Sequence, residues 1–431
     1  MESLPPALLD FISMFRPLLR TEVFDSFTYL LCGLLIGEAK HGTVRASVFA
    51  PAHYQPQRLS DLFCCHKLSR QALMAQLTQG VLTTLYAGGL PTRLFWLADS
   101  TLTERPFVRR VASVGLFHRA KRVIGRAKHL QGQCYVFAAH LYQTAQKHWA
   151  SALVGALLYV KGRSIPRLVG DLAQQLRLPA EVRHVWVVDR GIVSRPLVQS
   201  LERLDQYVLG RVRSNQVFYF APRRQPRRGR RRSYGQKCRV DKLIKRFPER
   251  LHHQTALLKV RGKARTVRIY DAEMLWRGVW HDRPCPVHLI IVLVPGLRLK
   301  PWYLLTTDLE LTPLEAVQAY GGRQQIEVNF DEVKELGLGQ YQGRSGEGVR
   351  RWPVFLCIAH ALLKLLATQA LHIELPSLNW SWYKQENTVG QVRRRLIEAC
   401  RPRISRDSSV RPYRRENEES GIISTTRVLP I

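Results

Sequence analysis

Arg93-Leu-Phe-Trp-Leu-Ala-Asp99 and His184-Val-Trp-Val-Val-Asp189 are the stretches whose reading decides the fold. Each is a short apolar run, the pattern of a strand buried in a sheet, and each leads straight into an aspartate. Open α/β sheets collect their ligands in the crevice outside the carboxyl ends of the strands. A carboxylate that ends such a strand is set at that edge, and burying one without compensation is costly. The two acids therefore read as a site, against the plainer reading of turn chemistry.

Outward from these strands, residues 1 to about 85 read as helical. Leu8, Ile12, Phe15 and Leu19 follow a 3.6-residue rhythm, and Ser69 is placed to cap a helix carrying Ala72, Leu73, Ala75 and Leu77. Strands are expected at 133–141, 150–160 and 206–212, with helices at 165–176 and 194–204. Further strands are expected at 255–260, 266–270, 287–294 and 302–306. Thr312-Pro313-Leu-Glu315 is an N-cap with proline at the first helical position, and helices resume there. A helix ending near 337, a long apolar helix at 352–371 and a short basic one at 392–399 follow. The tail beyond about 405 is polar and reads as disordered.

The chain has 431 residues, with 66 Lys plus Arg against 33 Asp plus Glu, a formal net charge of +33. Such an imbalance repels itself unless a polyanion neutralises it, which makes nucleic acid the leading partner. A composition that is 45% hydrophobic makes the chain a folded globule rather than a basic tail. No run of about 18 uncharged apolar residues is present to span a membrane; the nearest approach, Phe355 to Leu371, contains His360 and Lys364. Met1-Glu-Ser-Leu-Pro-Pro6 lacks a basic start before its apolar residues, so a cytoplasmic protein is expected. The eight cysteines contain no Cys-x-x-Cys pair, and Cys64-Cys65-His66 has poor zinc spacing, so reduced thiols are expected.

The third stretch is Tyr320-Gly-Gly-Arg-Gln-Gln-Ile-Glu-Val-Asn-Phe-Asp-Glu-Val-Lys334. With Arg323 at zero on a single helix, Lys334 falls at about 20°, Glu327 at about 40° and Tyr320 at about 60°. The stripe runs beside an apolar strip of Ile326, Phe330 and Val333, and suits a metal-binding carboxylate flanked by phosphate clamps. Asp331, at about 80°, stands beside it, and Glu332, at about 180°, is expected in solvent. Three carboxylates of hard oxygen are what two-metal phosphoryl chemistry needs.

The order strand–Asp99, strand–Asp189, helix–Glu327 resembles the DDE transposases of bacterial insertion sequences. The segment 320–334 matches the Tyr-(2)-Arg-(3)-Glu-(6)-Lys signature of one group at Tyr320, Arg323, Glu327 and Lys334. Leu304-Leu-Thr-Thr-Asp-Leu-Glu310 resembles the last strand of that group's β-rich insertion. The resemblance runs from about residue 92 to 370. It implies an α/β protein with a ribonuclease H-like catalytic core, residues 89–215 and 312–375, interrupted by a β-rich insertion at 216–311. A helical DNA-binding module at 1–88 would precede it and a helical, partly disordered segment at 376–431 would follow.

The resemblance also implies an enzyme that cuts at transposon ends with water and transfers the freed 3′-hydroxyl into target DNA. Asp99, Asp189 and Glu327 would hold two Mg²⁺ ions, with Mn²⁺ as a substitute. Arg323 and Lys334 would clamp phosphates, Tyr320 would contact the backbone, and Trp302 stands where hairpin-forming members stack a rotated base. Double-stranded DNA and a homodimer at synapsis are the implied partners, in a nucleoid setting. Asp331 stands where some relatives carry a basic residue, which bears on a DNA contact and not on the metals.

Other residues are more ambiguous. Seven of the ten residues from Arg223 to Arg232 are arginine, among them Arg227, Arg228, Arg230 and Arg231; this stretch reads as a loop that clamps phosphates without reading bases, or as a solvated surface loop. Ser100 and Thr101 read as a plain turn, or as hydroxyls that bond the Asp99 carboxylate or the DNA backbone. His129 and His140 read as core histidines rather than proton shuttles. The rival functions are a ribonuclease H-like nuclease or resolvase that does not join strands, and a DNA-binding protein without catalysis.

Overall fold

A computed structural model of the chain describes residues 4–37, 49–50, 54–55, 57–64, 67–105, 111, 113–118, 128–222, 232–260, 262–297, 299–341, 343, 345–377 and 388–406. The amino-terminal helices are α1 (Pro6–Ser13), α2 (Thr21–Ile36), α3 (Gln57–Cys64) and α4 (Arg70–Leu85). Then come β1 (Arg93–Glu104), β2 (Gly115–His118), β3 (His129–Gln143), β4 (Trp149–Leu158), α5 (Ile165–Gln175), β5 (Arg183–Val188), α6 (Arg195–Glu202) and β6 (Gln206–Arg211). Next are β7 (Val217–Tyr219), β8 (Lys237–Arg239), α7 (Leu243–Arg246), β9 (His252–Val260), β10 (Lys263–Trp276), β11 (Cys285–Leu293) and β12 (Trp302–Thr306). The chain closes with α8 (Pro313–Gly321), α9 (Gln325–Glu335), α10 (Gly346–Ala367) and α11 (Val389–Arg406).

The result is a mixed α/β protein built on one large sheet. Its strands run in the order β2-β3-β1-β5-β6-β12-β11-β10-β7-β8, with β4 paired to β3 and β9 to β10. β5 lies parallel to β1 and β6 parallel to β5, while β3 is antiparallel to β1 and β4 to β3. The strands after β6 continue the same sheet, because β12 pairs antiparallel with β6 through Leu304 opposite Arg211 and Thr306 opposite Leu209. The helix caps sit where the sequence puts them: Ser69 Oγ accepts from the Ala72 N–H, and Thr312 Oγ1 from the Glu315 N–H.

Two expectations are corrected. β1 does not end at Asp99; its antiparallel pairing with β3 carries it to Glu104, opposite Gly132. The segment 320–334 is not one helix either. α8 ends at Gly321, a 3₁₀ turn spans Gly322–Gln324, and α9 starts at Gln325. A Cβ on Gly322 would stand 3.0 Å from both Leu141 and Trp149, so the glycine lets this turn lie against β3 and β4.

The core is continuous from the amino-terminal helices to the sheet. α10 is its spine, buried over most of its length. The Phe355 ring meets those of Phe27 and Phe63, and Arg351 donates to the carbonyls of Leu62 and Phe63. No helix among the described residues is long and apolar enough to cross a membrane. None of the described cysteines forms a disulfide. The expected disorder beyond 405 falls almost wholly on residues outside the described ones, as do Cys65 and His66.

At the amino-terminal end of the parallel pair, Arg93 and Arg183 are register partners, which sets two like charges side by side. Asp308, fully buried after β12, resolves this: its Oδ2 accepts from Arg93 Nε at 2.9 Å and its Oδ1 from Arg183 Nη1 at 3.1 Å. Glu315 in the first turn of α8 takes Arg93 Nη1 at 2.9 Å. One carboxylate thus fastens the start of α8 to β1 and β5. Replacing Asp308 with Ala takes the buried acceptor from both guanidinium groups, which keep only Glu315 and Glu310, and is expected to cost roughly 1–3 kcal/mol. Chemical denaturation measures this; an unchanged midpoint would remove Asp308 from the account of how α8 is placed.

Candidate active site

Parallel register decides where the first two acids stand. Ala98 pairs with Val188, and Val188 pairs with Gly210 on the next strand. The residues that follow are Asp99, Asp189 and Arg211, so these three share one row across β1, β5 and β6. Neighbouring strands lie about 4.8 Å apart, which makes the two carboxylates immediate neighbours. The chain turns away sharply after Asp189, whose carbonyl accepts the N–H of Ile192 at 2.9 Å. That turn packs onto β6 because Gly210 is bare: a Cβ there would lie 2.3 Å from a Val193 methyl.

The third acid arrives with α9, and Arg323 joins the set. Its Nη2 donates to Glu327 Oε1 at 2.9 Å and its Nη1 reaches Asp99 Oδ2 at 3.5 Å. The Arg323 side chain is only 16% exposed, whereas that of Glu327 is 61% exposed. Tyr320 Oη donates to Asp189 Oδ1 at 3.5 Å, and its ring meets the Trp302 ring edge-on with centroids 5.8 Å apart. Tyr320, Arg323, Glu327 and Trp302 thus gather with the two aspartates. The 3₁₀ turn tightens the path without scattering the stripe.

The charges are frustrated. Burial pushes the Asp99 carboxyl up to about 6, and the negative charges of Asp189 and Glu327 push the same way. The Ser100 N–H, 2.7 Å from Asp99 Oδ1, and the Arg323 guanidinium pull it back. This settles the role of Ser100: its backbone, in a continuing strand, serves the carboxylate. Burial also pushes the Tyr320 phenol up, so it stays a donor.

A divalent cation suits this donor set, since hard carboxylate oxygens of Asp99 and Glu327 meet on one positive charge that Asp189 also feels. That charge is the Arg323 guanidinium, which stands in for an ion. Among the described residues no three Asp, Glu, His or Cys groups are arranged ready to hold one. Asp99, Asp189 and Glu327 are the groups that would do so.

Other expectations fare differently. Lys334 lies about two turns beyond Glu327 and pairs with Asp331 at 3.9 Å, away from the carboxylates. Glu332 is not in solvent; it sits under α10, accepting from His360 Nε2 at 2.8 Å and Lys364 Nζ at 2.7 Å. His140 is a core histidine, held neutral by burial that pushes it down to about 3 and bonded to the Phe95 carbonyl. His129 is exposed at the start of β3, not in the core. Arg227, Arg228, Arg230 and Arg231 lie outside the described residues.

Sequence reasoning missed Arg211, which acts electrostatically on Tyr320. It ends a strand as Asp189 follows one, so the rule that picked the aspartates could have found it. It also missed Asn329, whose hydrogen bond to Ser151 at 2.8 Å pins α9 to β4.

Residues 164–362 match the family model described as a transposase DDE domain, and this match supports a DDE transposase. Such a protein belongs to a class of enzymes that cleave DNA and transfer its strands. The matched span contains Asp189, Trp302 and Tyr320 to Lys334; Asp99 precedes it. No curated protein matches the chain.

The crowding of Asp99 has a measurable sign. Its pKa is higher folded than unfolded, so its ionisation lowers stability as pH rises from about 4 to about 6. With divalent ions chelated, Asp99→Asn is expected to gain on the parent across that window and hold the gain above it. The upper bound is on the order of 3 kcal/mol. Equal pH profiles would show that the carboxylates do not crowd one another.

Proposed function

We propose that this transposase cuts at the ends of a mobile DNA segment in a Mg²⁺-dependent reaction and joins the freed 3′-hydroxyl to target DNA. The observation that carries this reading is the gathering of Asp99 on β1, Asp189 just after β5 and Glu327 on α9 around Arg323, which contacts the first and third and acts electrostatically on the second. Two Mg²⁺ ions, or Mn²⁺ in their place, would be held by these carboxylates; when bound, they polarise the phosphoryl oxygens and activate the attacking oxygen.

In the first step a water oxygen forms a bond to the scissile phosphorus, the bond to the 3′-oxygen breaks, and that oxygen leaves as a hydroxyl. In the second the 3′-hydroxyl oxygen bonds to a target phosphorus and displaces a target 3′-oxygen. Arg323 offers the phosphate a bidentate guanidinium. Tyr320 adds a neutral donor beside Asp189. Lys334, further along α9, contributes a point charge to the DNA backbone. Trp302 presents a ring beside Tyr320 at the edge of this cluster, where an unstacked base would find a platform.

A ribonuclease H-like core at 89–215 and 312–375 is supported by the order β4-β3-β1-β5-β6, with β5 and β6 parallel to β1. Residues 216–311 would then be the insertion, and 1–88 and 376–431 the flanking segments, the first of them binding DNA. The Tyr-Arg-Glu-Lys signature at Tyr320, Arg323, Glu327 and Lys334 supports membership of the corresponding group of insertion-sequence transposases. Handling two DNA ends calls for a homodimer at synapsis, and the net charge of +33 supports a nucleoid setting.

Glu327→Gln keeps the side chain's shape and removes its charge. It is expected to lower cleavage of end-bearing DNA by at least about 10³-fold while DNA binding stays within a few-fold; removing one group poised for transition-state charge costs about this much. Normal cleavage by the variant would overturn the assignment. On a hairpin-forming route, Trp302→Ala is expected to slow hairpin closure more than first-strand nicking. Equal loss of both, read on denaturing gels, would count against the platform.

A further inference from the structure

We infer that Arg323 is a latch: it occupies the cation's place among the three carboxylates and must swing out before a divalent ion can enter. The inference rests on the reading that Asp99, Asp189 and Glu327 form the metal site.

Three observations carry it. The guanidinium bridges Asp99 and Glu327 and acts electrostatically on Asp189, so all three acids are answered by one side chain. That side chain is 16% exposed and its partner Asp99 24%, so the Arg323–Asp99 contact is a half-buried pair even though Glu327 reaches out to solvent. Among the described residues no three Asp, Glu, His or Cys groups stand arranged to hold an ion, and the guanidinium lies between two of the acids that would.

Guanidinium chemistry makes the latch strict. An arginine does not lose its proton in a protein, so its charge cannot be titrated away to admit a second cation. Entry of the ion therefore requires movement. The alternative partner for a displaced guanidinium is a phosphate, which matches its two parallel donors. A DNA backbone at the site thus draws Arg323 out and opens the carboxylates. By reciprocity of linked binding, an ion that expels Arg323 strengthens the hold on DNA. The device keeps the cutting centre unloaded until DNA is in place.

The test is Mn²⁺ binding to the full chain without DNA, followed by electron paramagnetic resonance of the free ion, with circular dichroism confirming the fold. Arg323→Gln, which keeps a polar chain of similar reach, is expected to bind Mn²⁺ more tightly than the parent by roughly ten-fold, within the range of ordinary site coupling. Arg323→Lys, which keeps the charge, should stay near the parent. The Arg323→Gln, Glu327→Gln double variant should lose the gain. If Arg323→Gln binds Mn²⁺ no better than the parent while the double variant binds still more weakly, the carboxylates hold the ion but the latch is refuted. If Glu327→Gln changes nothing in either background, the metal assignment itself fails.

Discussion

Ala98 opposite Val188 is the rung on which the proposed active site hangs. Parallel pairing of β1 and β5 stops there, and the next residue on each strand is an aspartate. Only this register sets Asp99 and Asp189 side by side. A slip of one residue would turn one of them to the opposite face of the sheet. β3 secures the register from the other side, because it follows β1 for ten residue pairs, from Phe95 to Glu104. A carboxylate in mid-strand, hydrogen bonded through its backbone on one side and free on the other, is a rigid ligand.

Two carboxylates so placed repel each other, and the rest of the site answers that repulsion. Arg323 brings the compensating charge and Glu327 arrives one helical turn later. Their position depends on contacts well away from the chemistry. Asp308 draws the end of β12 and the start of α8 onto β1 and β5. Gly322 seats the 3₁₀ turn on β3 and β4, while Asn329 and the Glu332–His360–Lys364 group fix α9 against β4 and α10. β12 completes the frame: it pairs with β6, brings Trp302 beside Tyr320 and leads directly into α8.

Much of this was legible in the sequence. The apolar runs before Asp99 and Asp189 gave their strands, residues 302–306 form the strand expected of them, and Ser69 and Thr312 cap their helices. The residue types at 320, 323 and 327 were sufficient to bring them to one site. What stayed hidden depended on partners far away in the chain. The extension of β1 beyond Asp99 comes from β3, which the residues around 99 do not announce. Glu332 looks solvated on a helical wheel because the wheel ignores α10, whose His360 and Lys364 give that carboxylate a buried role. The 3₁₀ turn at Gly322 is set by the bulk of Leu141 and Trp149. That β7 to β12 continue the sheet of β1 to β6 follows from Leu304 meeting Arg211, a long-range pairing with no local signal.

The most direct measurement is a crystal structure of the chain with duplex DNA and Mn²⁺, using the anomalous signal of the ion to locate it. The account predicts the signal among Asp99, Asp189 and Glu327, with the Arg323 guanidinium withdrawn to a phosphate. Mn²⁺ bound elsewhere, with Arg323 still bridging Asp99 and Glu327, would contradict it.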